Sequence, residues 1–92
     1  MAKYYLFGKY SQEALKNASA DRTKKAQDAI EKAGGKVISM DILLGEKDLA
    51  IAVDLPNTAS AVKASIALTK LTGIGFSSSP AIPVDEFDKL LG

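Results

Sequence analysis

The segment Tyr4-Tyr5-Leu6-Phe7-Gly8-Lys9-Tyr10 holds four of the chain's six aromatic residues. As a β-strand over about residues 3–10, it sends Tyr4, Leu6 and Tyr10 to one face and Tyr5 and Phe7 to the other. Both faces are apolar, so both need cover. A chain of 92 residues has helices enough for one face only. The economical arrangement puts helices on one side of the sheet and a second copy of the chain on the other.

The rest of the chain supplies the helices and three further strands. Ser11 to Asn17 reads as a short helical turn capped by Ser11, or as a loop. Ala26, Ala29, Ile30 and Ala33 fall at i, i+3, i+4 and i+7, the stripe of an amphipathic helix. Ser19 or Asp21 can cap its first turn, and Gly34-Gly35 supply the left-handed stop. Lys36 to Leu44 is β-branched and apolar, with Ser39 and Asp41 on one face and Ile38, Met40, Ile42 and Leu44 on the other. Gly45-Glu46-Lys47-Asp48 reads as a hairpin connection into Leu49–Leu55, where Leu49, Ile51, Val53 and Leu55 alternate with Ala50, Ala52 and Asp54. Pro56 ends that strand, because proline has no N–H for the ladder. Asn57 or Thr58 caps a long helix carrying Val62, Ile66, Leu68 and Leu71, which stops at Gly73. A fourth strand runs from Ile74 to about Ile82, and Pro83 precedes a last helical turn over residues 85–91.

The order β-α-β-β-α-β, with right-handed crossovers and one hairpin, predicts a single α+β domain over residues 1–92. Its fold is ferredoxin-like, an antiparallel sheet of order 4-1-3-2 with the helices on one face. The first and third strands, the most apolar, take the centre.

Composition narrows the chemistry. The chain has no Cys and no His, which removes disulfides, thiolate nucleophiles, histidine-based triads and the nitrogen and sulfur ligands of zinc, iron or haem. No metal and no cofactor is expected. A formal net charge of +1 leaves no basic field for nucleic acid or an anionic membrane. No apolar run approaches a membrane span, and Met1-Ala2-Lys3 leads into a strand rather than a signal peptide, so cytoplasmic residence is the expectation.

Several segments resemble the GYD-domain family. They are Phe7-Gly8-Lys9-Tyr10-Ser11-Gln12-Glu13 with Leu15-Lys16-Asn17, Ala33-Gly34-Gly35-Lys36, Gly45-Glu46-Lys47-Asp48 and Phe87-Asp88-Lys89-Leu90-Leu91. The family takes its name from Gly-x-Tyr-Asp at the hairpin, and here Lys47 stands at the tyrosine position. The resemblance implies a dimeric α/β-barrel, in which two ferredoxin-like sheets pack face to face as a homodimer or a multiple of one. It implies no particular reaction.

Candidate site residues follow from both lines. Tyr5 and Phe7 offer apolar walls if their face is the helix side; otherwise Tyr4 and Tyr10 line a pocket while Tyr5 and Phe7 seal the dimer. Lys9, Ser11, Asn17 and Asp54 are the nearby polar groups, and related barrels place ligands between sheet and helices near the ends of the first and third strands. Glu46 and Asp48 at the hairpin, Asp41 and Asp54 within strands, and the run Ser77-Ser78-Ser79-Pro80 have bland explanations as a turn, outward-facing carboxylates and a soluble edge strand. Three functions remain open: a homo-oligomeric small-molecule binding module, a cofactor-free isomerase or oxygenase using Tyr and Asp, and a purely structural or interaction protein.

Overall fold

The structure, a computed structural model, describes residues 2–92; Met1 lies outside the described residues. Its elements are β1 (Ala2–Gly8), α1 (Gln12–Lys16), α2 (Ala20–Lys32), β2 (Lys36–Ile42), β3 (Leu49–Leu55), α3 (Thr58–Thr72), β4 (Phe76–Ala81) and α4 (Val84–Leu90). The sheet is antiparallel throughout and open, with order β2-β3-β1-β4. This is the ferredoxin-like arrangement, with β1 and β3 at the centre.

Strand parity is decided by the register. Tyr4 lies opposite Val53 and Leu6 opposite Ile51, and all four are buried beneath the helices. Tyr5 and Phe7, opposite Ala52 and Ala50, stand on the other face and remain half-buried. Leu6, Ile30, Ile51, Val53, Leu55 and Leu68 are fully buried, each worth roughly 1.5–3 kcal/mol of transfer free energy. Tyr4 reaches through this core to place its hydroxyl 3.2 Å from Thr58 Oγ1 at the start of α3. Its polar tip therefore keeps a partner among apolar neighbours.

The helices begin and end where local chemistry directs. Ser11, Ser19 and Asn57 each accept a backbone N–H of the first turn, so α1 is a helix and the capping choices at α2 and α3 fall to Ser19 and Asn57. Gly34, at φ +90°, ends α2 in the left-handed conformation. Gly35 then passes so close to β3 that a Cβ there would meet the Leu55 side chain and sit 2.7 Å from the Asp54 carbonyl oxygen.

Three expectations about strands and helix stripes are corrected. On α3 the buried residues are Ala61, Ala64 and Leu68, whereas Val62 and Ile66 are exposed. An alanine-rich helix is apolar nearly all round, so hydrophobicity alone does not choose its inner face; small side chains win because they let the helix approach closely. On β2 an irregularity between Val37 and Ser39 breaks the alternation. Val37 and Met40 thereby both pack against the core, and Ile38, expected beside Met40, is exposed. β4 is also shorter than expected, beginning at Phe76, although Ile74 before it is buried.

α4 stands apart. None of its residues is buried, and Val84, Phe87 and Leu90, with Leu91 beyond it, form an exposed apolar stripe. The radius of gyration, 13.7 Å, exceeds the roughly 12.3 Å typical of a domain this length. Among the described residues no helix is long and apolar enough to cross a membrane.

Candidate functional site

One edge of the sheet gathers the exit of β1, the end of β2 and the starts of β3 and β4. The first turns of α2 and the last turn of α3 overhang this edge. Between them lies a cleft of about 200 Å³. Ala26, Met40, Leu49, Ile51, Leu68 and Phe76 make its apolar walls, and Tyr10, Arg22, Thr23 and Thr72 are its polar side chains. Asp41 borders the cleft, but it pairs in register with Ala50, as Phe7 does. Alternation therefore carries its carboxylate to the open face, opposite to Met40 and Ile42.

The cleft's shape is held by the segments around it. Asp48 Oδ2 accepts the Tyr10 N–H at 2.8 Å, and the Asp48 N–H donates to the Gly8 carbonyl at 3.0 Å. Lys9 Nζ donates to the Glu46 carbonyl at 3.1 Å. The β2–β3 hairpin is thus tied to the exit of β1, which fixes Tyr10 at the cleft. Asp48 spends its carboxylate on this tie, and among the described residues no cluster of three acidic groups could hold a metal ion. Thr72 Oγ1 donates to the Leu68 carbonyl at 2.8 Å and accepts from the Ile74 N–H at 3.3 Å, so it closes α3 at the cleft wall.

Arg22, the chain's one arginine, is placed by two hydrogen bonds. Its N–H donates to the Ser19 cap at 3.1 Å, and its Nη2 donates to the Ala14 carbonyl at 2.8 Å. Among the described residues no carboxylate lies within ion-pair distance of it; the ion pair found is Lys25–Asp21 on the outer surface of α2. A cation in the first turn opposes the helix dipole, so helix stability does not account for its position.

The six residues picked from sequence fall into two groups. Tyr5, Phe7 and Asp54 share the open sheet face, with Tyr5 and Phe7 stacked at 6.0 Å between ring centroids and Lys3 Nζ 5.2 Å from the Tyr5 ring. Asp54 lies opposite Lys3 on β1 and Lys36 on β2. Lys9, Ser11 and Asn17 sit beyond the exit of β1, Ser11 as the N-cap of α1 and Asn17 as its C-cap, where Ser11 and Asn17 border a small hollow against Thr72 and Gly73. The structure does not bring the two groups together. Arg22, Met40 and Thr72 were not singled out by sequence reasoning. A lone cation at the wrong end of a helix was the available signal for Arg22.

Residues 4–91 match the family model of the GYD domain. No curated protein matches the chain.

Proposed function

The chain belongs to the GYD-domain family, and from that premise we propose that it is a homodimeric small-molecule binding module. The cleft at the end of the sheet carries this reading, because it combines apolar walls with a few fixed polar groups, the composition that specific pockets need. Acid–base catalysis has less support: the cleft offers Tyr10 and Arg22, and the nearest carboxylates, Asp41 and Asp48, are turned to the open face or committed to a backbone N–H.

The dimer is supported by surface area. The chain exposes 6034 Å², whereas a folded monomer of 9.7 kDa exposes about 5,100 Å². The excess, roughly 900 Å², resembles what one partner contributes to a standard interface, about 800 Å². Two apolar surfaces are available for such a contact: the open sheet face around the half-buried Tyr5 and Phe7, and the exposed stripe of α4. Two open faces packed together give the face-to-face barrel of the dimeric α/β group. Ala50, Ala52, Ser39, Ser77 and Ser79 leave that face low around the two aromatic rings, so opposing sheets can approach closely.

Light scattering at micromolar concentration tests the assembly, and a mass of 9.7 kDa would refute it. A fragment library followed by thermal melting tests the cleft. Compounds that raise Tm for the unaltered chain should fail to do so after Ala26→Leu, which extends a side chain into the cavity. If no compound in the library shifts the melting temperature, the binding role gives way to a structural one.

A further inference from the structure

Resting on the assignment of the cleft as a binding site, we infer that its ligand is a small monocarboxylate with a single-ring or branched apolar body, held by the guanidinium of Arg22. Size, wall chemistry and charge each restrict the choice. A cavity of about 150 Å³ lined by aliphatic and aromatic side chains accommodates benzene. At about 200 Å³ this cleft has room for one ring and a short polar substituent. Leu49, Ile51, Leu68 and Phe76 present only carbon to the body of such a molecule.

Arg22 is the one cation among the residues that line the cleft, and the one carboxylate there, Asp41, shares its register partner Ala50 with Phe7 and so belongs to the open face. One of the guanidinium's five N–H donors goes to the Ala14 carbonyl, which leaves four for a ligand. That bond also holds the side chain before any ligand arrives, so little conformational entropy remains to be lost on binding. A guanidinium matches a carboxylate through two parallel hydrogen bonds. The positive end of α2, a helix of 13 residues, adds potential of the same sign at the cleft mouth. A dicarboxylate or a phosphate ester would bring a second charge to the apolar walls, where no further cation waits. A neutral ring compound would leave the four remaining guanidinium donors without an anion.

The test uses the full chain in a carboxylate-free buffer, with benzoate and its neutral near-isostere benzamide as probes and acetate as the ring-free control. Amide resonances of Thr23, Ala26, Leu49 and Thr72 report occupancy by NMR titration. Benzoate should move these resonances and bind about tenfold or more tightly than benzamide, the discrimination expected of charge-assisted hydrogen bonds; acetate should bind far more weakly. Arg22→Gln should bring benzoate down to the level of benzamide, and Arg22→Lys should restore part of the preference. Equal binding of benzoate and benzamide to the unaltered chain would overturn the carboxylate assignment while leaving the cleft a binding site. Silence of the cleft resonances toward both ring compounds would overturn the two together.

Discussion

The two faces of the central strands are built from similar residue types and behave differently. On the helix side, Tyr4 and Leu6 of β1 meet Ile51, Val53 and Leu55 of β3, and every one is buried. On the open side, Tyr5 and Phe7 lie beside Ala50 and Ala52 of β3 and Ser77 and Ser79 of β4, with Lys3 over the Tyr5 ring, and the two rings remain half-buried. The covered face is packed by large aliphatics under alanine-rich helices; the open face carries two aromatics on a bed of small residues. A sheet face that small residues leave low suits another sheet better than a helix, since opposed sheets pack about 10 Å apart. Apolarity alone did not decide which face the helices cover; the size distribution of the side chains distinguishes the two.

The comparison is most severely tested by Leu6→Ala. Removing a fully buried side chain from the covered face should cost about 2–5 kcal/mol in urea denaturation. A cost within about 0.5 kcal/mol, the range of an exposed site, would mean the covered face is not the core. Next in size is Gly35→Ala, whose Cβ would crowd the Leu55 side chain and the Asp54 carbonyl. Because part of the obstruction is backbone, a loss of about 1–3 kcal/mol is expected, read as a lowered denaturation midpoint at unchanged slope.

The tyrosines provide a finer contrast. Tyr4→Phe removes the hydroxyl that meets Thr58 and should cost about 1 kcal/mol. Tyr5→Phe, whose hydroxyl has no partner among the described residues, should change fold stability by less than about 0.5 kcal/mol. Equal effects from the two changes would erase the distinction between the faces at the level of polar satisfaction.

Phe7→Asp should likewise have only a small effect on the fold, and it separates assembly from stability. In dilute solution the monomer should remain folded, with its stability altered by about 0.5 kcal/mol. The dependence of Tm on protein concentration, expected of a dimer, should vanish. Tyr10→Ala should do the reverse, leaving association intact and altering ligand-dependent melting, because Tyr10 lines the cleft and not the open face. A Phe7→Asp protein that still dimerises would move the interface elsewhere, with the apolar stripe of α4 as the first surface to examine.

Much of this architecture was legible in the chain. The period of the α2 stripe, the alternation in β3, Pro56 and the Gly34-Gly35 stop are local signals, and they fixed element order and sheet topology. The two-sided apolarity of β1 was equally plain. Which side faced the helices was not, because Tyr4-Leu6 and Tyr5-Phe7 are nearly equivalent in hydrophobicity, and only the fit of large side chains beneath α2 and α3 separates them. The inner face of α3 and the break in β2 were decided in the same way, by how closely an alanine face and a shifted strand could pack. The cleft depended most on tertiary structure. Its walls come from three strands and two helices, and its one cation gains meaning from the Ala14 carbonyl eight residues away along the chain. Local sequence dictates where a helix or strand begins and ends, since those interactions span a few residues. Bringing Arg22 to the same cleft as Leu49 and Phe76 required the sheet to assemble under its helices, because no short-range interaction connects them.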